Sequence, residues 1–155
     1  MAHTESLLRV ARRVTGNLQS AEDAVQDTLL SAWRSFHQFE KNTNCRAWLF
    51  RIMLNLISKG RNRPTVPIVA LSDSEVLENI VPIRASCRGL ASSDVFMAID
   101  RLDEEQRIIL LLAAVEGFTC REIGGMLGIP IGTVMSRLSR GRAEIRNVLR
   151  SVRTG

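Results

Sequence analysis

The sequence predicts an all-α chain of two small helical domains joined by a flexible linker, the C-terminal one a helix-turn-helix. Apolar residues recur at helical spacing on both sides of the middle of the chain, and the period-2 alternation and tight turns of β-hairpins are absent. Three of the four prolines and many Ser, Asp and Asn residues cluster in that middle. We therefore expect domains at residues 1–63 and 94–155, with a linker at 64–93 holding at most one short helix, residues 74–79.

Composition excludes several classes of protein and favours a polyanionic partner. The 155 residues carry a formal charge of +5, and 19 of the 21 basic residues are arginines, whose planar forks suit phosphates and guanine edges. The longest wholly apolar run has eight residues, 108–115, against the roughly 20 that span a bilayer. The first residues lack a signal-peptide pattern, and three distant cysteines predict neither a disulfide framework nor a metal site.

In the N-terminal domain, residues 21–36 predict an amphipathic helix capped by Ser20. Its expected core side carries Val25, Leu29, Ala32, Trp33 and Phe36. The opposite, largely acidic face holds Asp23, Gln26, Asp27, Leu30 and Arg34. Leu30 in this face fits two interpretations equally well: an ordinary exposed leucine, or part of a protein-docking surface.

The next predicted helix, residues 45–60, has an apolar side with Trp48 and a polar side that ends in basic residues. The polar side holds Arg51, Asn55 and Ser58. A polar loop at 37–44 precedes the helix, between aromatic residues. Aromatic rings beside a basic helix can stack unpaired bases, worth about 1–3 kcal/mol per base. Each ring taken singly is more typical of a core residue.

The C-terminal domain carries a helix-turn-helix pattern. Thr119 and Glu122 form a capping box, Gly128 marks the end of the first helix, and Pro130 opens the second. At 100° per residue the second helix has an apolar side with Val134, Met135, Leu138, Ile145, Leu149 and Val152. Its opposite face presents Thr133, Ser136, Arg137 and Arg140. The arginines alone would suggest a solvated face. The capping box, the glycine turn, the proline at the start of the helix and the polar stripe together favour reading of duplex DNA.

Three segments resemble the ECF (extracytoplasmic-function) class of bacterial sigma factors in the sigma-70 family. They are AEDAVQDTLLSAW at 21–33, CRAWLFRIMLNLI at 45–57 and LDEEQRIILLLAAVEGFTCREIGGMLGIPIGTVMSRLSRGRAEIR at 102–146. The likeness covers nearly the whole chain apart from the linker. Its most specific parts are GIPIGTVMSRLSRGR and the placement of DAVQDT before RAWLFRI.

The resemblance implies a cytoplasmic protein, monomeric when free, that binds the RNA polymerase core and directs promoter-specific initiation in a stress or envelope response. An anti-sigma factor would hold it, and neither cofactor, catalysis nor membrane insertion is implied. Binding of the polymerase clamp helices is assigned to Asp23, Gln26, Asp27, Leu30 and Arg34. Capture of the melted −10 element is assigned to Phe39, Asn42, Trp48, Arg51, Asn55, Ser58, Lys59 and Arg61. Reading of the −35 duplex is assigned to Arg121, Gly132, Thr133, Ser136, Arg137 and Arg140.

A few positions depart from the family pattern. Lys59 stands where Asp is frequent, and Leu54 where Arg is frequent. Met135 replaces a commonly basic residue, which removes one phosphate contact. Gly141 replaces a usual Ala and is expected to weaken its helix by about 1 kcal/mol.

Three alternative functions remain at this point. A sigma mimic that only titrates an anti-sigma factor shares the fold but has no need of the Arg137 and Arg140 face. A stand-alone helix-turn-helix regulator leaves the face around Asp23 and Leu30 without a role. An enzyme is disfavoured because no nucleophile with a base, phosphate-binding glycine loop or metal set is visible.

Overall fold

The structure, a computed structural model, describes residues 3–41, 43–60 and 92–154, and within these ranges it is helical and without strands. The all-α prediction is confirmed. The predicted linker, but for its last two residues, and the short helix at 74–79 lie outside the described residues. In the part of the chain that the structure describes, no helix combines the length and the apolar character that crossing a bilayer requires. The chain divides into two compact units.

The first unit is built from helices α1 (Thr4–Thr15), α2 (Leu18–Arg34) and α3 (Cys45–Gly60). Gly16 ends α1 with a left-handed φ of 82° that lets its N–H reach the carbonyl oxygen of Arg12. Asn17 then caps α2, since its side chain accepts the N–H of Ser20 at 2.7 Å. The predicted cap at Ser20 is therefore wrong, and α2 begins three residues earlier than expected.

The buried stripe of α2 is rotated from the predicted one. It consists of Ala21, Val25, Thr28 and Ala32. Thr28 is buried because its hydroxyl donates a hydrogen bond to the carbonyl oxygen of Ala24 at 2.6 Å, which leaves its methyl group to pack. Trp33 lies about 140° around the helix from Thr28, and it is 83% exposed. The expectation that Trp33 belongs to the core is wrong.

Phe36 is also outside the core, for a different reason. Helix α2 ends at Arg34, two residues before the predicted end, and one turn of 3-10 helix follows at Phe36–Gln38. The helical period that placed Phe36 on the core stripe no longer applies there. Its ring is 63% exposed.

Helix α3 has the predicted bounds, and Asn44 accepts the N–H of Ala47 at 3.1 Å at its start. The first half of α3 is not amphipathic, because residues 47–54 are all buried. A helix with so continuous an apolar sequence is typically enclosed on every side. Its second half, from Asn55 to Ser58, is half-buried.

The second unit contains α4 (Ser92–Asp100), α5 (Glu104–Leu110) and the 24-residue α7 (Ile131–Thr154). A π-helical turn at Leu111–Val115 extends α5. Asp103 caps α5 by accepting the N–H of Gln106 at 2.9 Å. Helix α6 (Cys120–Leu127) precedes α7.

At Gly141, α7 packs close against α5. A Cβ at this position would lie 2.7 Å from Cδ1 of Leu110 and 3.8 Å from Cβ of Gln106. The glycine therefore allows two helices to pack more tightly than an alanine would. This contact offsets the helix-weakening expected of Gly141 from propensity alone.

Candidate partner-binding and nucleic-acid surfaces

The five residues predicted for polymerase binding all lie on one exposed surface of α2. Its opposite side is the buried stripe, so the carboxylates of Asp23 and Asp27 face solvent. We call this surface the α2 outer face, and its members are Asp23, Gln26, Asp27, Leu30 and Arg34. The predicted exposure of all five residues is confirmed, while their role stays a prediction.

Two exposed large apolar side chains lie one turn apart on α2, Leu30 within the α2 outer face and Trp33 at its edge. Leu30 is 49% exposed, and Trp33, one turn later, is 83% exposed. Single exposed leucines are ordinary, but a leucine beside a tryptophan within a polar rim is typical of a binding surface. Sequence reasoning missed Trp33. The available signal was its spacing of three residues from Leu30, which makes the two side chains neighbours on a helix.

Three aromatic rings form a stepped row from the surface to the interior of the first unit. The ring centres of Phe36 and Phe39 are 6.0 Å apart with 21° between their planes, and those of Phe39 and Trp48 are 5.1 Å apart at 47°. Trp48 is only 8% exposed and Phe39 is half-buried. The exposed end of the row is therefore Phe36, which was not among the predicted DNA-binding residues.

The polar side of α3 is only partly as predicted. Lys59 is exposed, and Asn55 and Ser58 are half-buried. Arg51 is buried, so its expected place on the exposed polar side is wrong. Its position within the enclosed first half of α3 explains this, and burial lowers the pKa of its guanidinium below the usual value. Asn42 and Arg61 lie outside the described residues.

The helix-turn-helix has the predicted local chemistry. Thr119 Oγ1 accepts the N–H of Glu122 at 3.1 Å and donates to its carboxylate at 3.2 Å. Gly128 follows α6 with a φ of 67°. The carbonyl oxygen of Pro130 accepts the N–H groups of Thr133 and Val134 at 3.0 and 3.2 Å. Pro130 is therefore the N-cap residue of α7, whereas the sequence predicted it one position later, in the first turn of the helix.

Helix α7 separates a buried side from an exposed polar face. Val134, Leu138, Ile145 and Leu149 are buried as predicted, whereas Met135 and Val152 are exposed, so their assignment to the apolar side is wrong. Both lie at the edges of the predicted apolar stripe. The polar face, called the α7 reading face below, consists of the exposed Gly132, Ser136 and Arg140 with the half-buried Thr133 and Arg137. A Cβ at Gly132 would have no neighbour within 4 Å outside its own helix backbone, and Arg121 in α6 is exposed.

Arg137 forms an ion pair that sequence reasoning did not anticipate. Its Nη1 lies 3.0 Å from Oε2 of Glu105, in the first turn of α5. The two side chains are 32% and 58% exposed, so the pair lies at the surface beside the α7 reading face. The partners are 32 residues apart in the sequence, so the pair had no local signal.

A capped helix-turn-helix with an arginine-bearing exposed face, on a chain that also carries an exposed acidic and apolar helix face, is typical of a DNA-binding transcription protein. A family model of sigma-70 region 2 matches residues 1–63, and one of sigma-70 region 4 matches residues 93–145. Together with ECF relatives that are 30% identical to the chain over most of their own length, these matches show that the chain belongs to the ECF family of RNA polymerase sigma factors.

Individual relatives support this membership. The chain is 34% identical over 151 residues to the ECF RNA polymerase sigma factor SigE of Mycolicibacterium smegmatis, a match that covers 95% of this chain and 58% of SigE. It is 30% identical over 158 residues to the ECF sigma factor SigM of Mycobacterium tuberculosis, which covers 99% of this chain and 76% of SigM.

A solved structure has the same fold. The sigma factor RpoE of Bartonella quintana, crystallised with the anti-sigma factor NepR, matches with a TM-score of 0.72 and 28% identity. The match covers 96% of this chain and 92% of RpoE.

Proposed function

We propose that this chain binds the RNA polymerase core and directs it to promoters, with no catalytic activity of its own. The observation that carries the proposal is the exposed Leu30–Trp33 pair on the acidic α2 outer face. A DNA-reading helix alone would suit a stand-alone regulator. Such a regulator has no use for an apolar protein-docking surface on its other unit.

The α2 outer face supports docking on a protein surface. Burial of a tryptophan and a leucine at the centre of an interface supplies much of its affinity, because truncation of such residues costs about 2 kcal/mol or more. Asp23 and Asp27 add negative charge to the same face as Leu30, which favours a basic partner surface and sets its orientation. We assign this face to the clamp helices of the polymerase core.

The aromatic row and the second half of α3 support capture of single-stranded −10 DNA. Phe36 offers an exposed ring for stacking, while Phe39 and Trp48 support it from beneath. Polar contacts to the strand come from Asn55, Ser58 and Lys59 at the end of α3. In this proposal Trp48 and Arg51 shape the surface from within instead of touching bases.

The α7 reading face supports recognition of the −35 element as a duplex. Arg137 and Arg140 can each bond a guanine edge or a phosphate, and the N-terminal end of α7 at Gly132 favours a phosphate. Opening the −10 region costs a few kcal/mol per extruded base. Duplex binding by one domain and polymerase docking by the other offset this cost through effective concentration. The domain limits at 1–63 and 94–155 belong to this proposal.

An anti-sigma factor is the second proposed protein partner, in a cytoplasmic setting. The support is the fold shared with RpoE, which was solved in complex with the anti-sigma factor NepR. A protein that covers Leu30 and Trp33 would exclude the polymerase core from the same surface. Such competition would keep the sigma factor inactive until it is released.

Run-off transcription on a library of promoter fragments tests the proposal. Purified core polymerase is assayed with this chain, with the Leu30→Asp variant and alone. The chain is also assayed without the core polymerase. Specific transcripts that need both the core and the unaltered chain support it. A chain that binds an anti-sigma factor but never yields a transcript would instead be a sigma mimic. Tight promoter binding without polymerase would indicate a stand-alone regulator.

A further inference from the structure

The Glu105–Arg137 ion pair lies where α5 meets the α7 reading face. Arg137 lies on the second turn of α7, and the 3.0 Å contact joins its Nη1 to Oε2 of Glu105 on α5. Among the described residues, this is the contact that the Arg137 guanidinium makes. Its remaining N–H groups are available to a ligand.

The backbone holds this pair in register. Gly141 lies one helical turn after Arg137 on the same side of α7, and it allows α7 to approach Gln106 and Leu110 closely. Asp103 caps α5 and fixes the turn that carries Glu105. The backbone positions that carry Glu105 and Arg137 are therefore held by packing of the two helices rather than by a flexible loop.

A carboxylate at this position has two effects on DNA binding. It restricts the rotamers of Arg137 before DNA arrives, so less side-chain entropy is lost when the guanidinium meets a base edge. It also repels the phosphates of any duplex docked on this surface, whatever its sequence. The first effect raises the ratio of specific to non-specific affinity. The second lowers the affinity for every duplex and leaves discrimination to the base contact.

We propose that Glu105 is a positioning residue that restricts Arg137 to base reading and suppresses its use as a general phosphate contact. The inference rests on the proposed function, in which the α7 reading face binds the −35 duplex. Glu105 is thereby a determinant of promoter selectivity that touches no DNA itself.

The test uses holoenzyme assembled from core polymerase and the full chain. Binding to a duplex pool selected by the unaltered holoenzyme is compared with binding to an unselected pool, over a series of salt concentrations. The variants are Glu105→Ala, Glu105→Gln, Arg137→Ala and the double variant Glu105→Ala/Arg137→Ala. Asp94→Ala serves as the matched control, because it also removes one carboxylate from the first turn of a helix in the same unit.

Glu105→Ala should lower the ratio of selected to unselected affinity by at least about threefold. It should also steepen the dependence of log K on log salt by about 0.9, the value for one added phosphate contact. Glu105→Gln keeps an acceptor oxygen without the charge, so it should strengthen binding to both pools while keeping most of the discrimination. The double variant should behave as Arg137→Ala does, because Glu105 acts through Arg137.

Two results would overturn the inference in distinguishable ways. If Arg137→Ala impairs DNA binding but Glu105→Ala matches Asp94→Ala in both readouts, Glu105 has no positioning role and the proposed function stands. If Arg137→Ala changes neither pool, the assignment of Arg137 to DNA reading fails, and the role of Glu105 fails with it.

Discussion

The hydroxyl of Thr28 donates a hydrogen bond to the carbonyl oxygen of Ala24 at 2.6 Å, which lets a polar residue occupy the buried stripe of α2. With its hydroxyl satisfied inside its own helix, Thr28 packs as a small apolar residue. The stripe then centres on Thr28 and Val25, and Trp33 is turned outward. The exposed position of Trp33 thus goes with a buried stripe that includes a polar residue hydrogen-bonded within its own helix.

Glutamate should be tolerated at Trp33 and should destabilise the protein at Thr28. This is the reverse of what the polarity of the two native side chains suggests. Thr28→Glu places an unpaired carboxylate in the core and should destabilise the first unit by about 3 kcal/mol or more. Trp33→Glu, at an exposed site, should change the free energy of unfolding by less than about 1 kcal/mol. Urea denaturation followed by circular dichroism measures both. Equal losses at the two positions would contradict the rotated stripe.

Leu30→Asp should weaken binding of the polymerase core while the fold is kept. Loss of an apolar contact and burial of a new charge should cost about 2–4 kcal/mol of binding free energy. Competition with a labelled sigma factor for core polymerase measures this affinity. Leu18→Asp is the control, because Leu18 is a similarly exposed leucine on the same helix, 46% against 49%. Similar losses for the two variants would remove the α2 outer face from the interface.

Phe36→Ala should weaken capture of single-stranded −10 DNA by about 1–3 kcal/mol, the value of one base stacked on an aromatic ring. Stability should change little, since the ring is largely exposed. Binding of holoenzyme to a fork-junction template with an unpaired −10 strand provides the measurement. Trp48→Ala should instead destabilise the first unit by about 3–5 kcal/mol because its ring is buried. An equal loss of binding for Phe36→Ala on a duplex that carries the −35 element without a −10 element would argue against stacking.

Arg137→Ala should reduce promoter discrimination by about 1–3 kcal/mol if the residue reads a guanine. Arg150→Ala, at an exposed arginine on another side of α7, should leave discrimination intact. Selection from a randomised −35 library by each holoenzyme measures the preference at each base. An equal loss on every sequence would mark Arg137 as a phosphate contact.

Gly141 and Leu110 should be energetically coupled. Alanine at 141 gains about 1 kcal/mol of helix propensity but meets Cδ1 of Leu110 at 2.7 Å. In the Leu110→Ala background the added methyl group has room, so Gly141→Ala should be more favourable there by about 0.5–2 kcal/mol. A double-mutant cycle on the free energy of unfolding measures the coupling. A coupling of zero would mean that the Leu110 side chain or the helices shift without cost.

The accuracy of prediction from sequence depended on how local the determining interaction was. The capping of α6 by Thr119, the turn at Gly128 and the bounds of α3 follow from residues a few positions apart, and the structure confirms them. The exposed side of α7 also followed from its period. By contrast, Arg51 is buried because of tertiary packing that the 3.6-residue period does not report.

Two other differences have the same origin. The start of α2 moved because Asn17 provides an earlier cap than Ser20, and two adequate caps cannot be ranked from their residue types alone. The Glu105–Arg137 pair joins residues on two helices, and only the approach of α7 to α5 at Gly141 brings them together. Residue types suggested what each surface could bind, whereas helix packing decided which side chains reach it.

The two tryptophans make the first unit its own optical reporter. The chain has no tyrosine, so its intrinsic emission comes from Trp33 at the surface and Trp48 in the interior. An aqueous quencher such as iodide should reach the first indole and spare the second. Shielding of Trp33 would register occupancy of the α2 outer face, and a red shift from Trp48 would register unfolding, so complex formation and denaturation can be followed separately without a label.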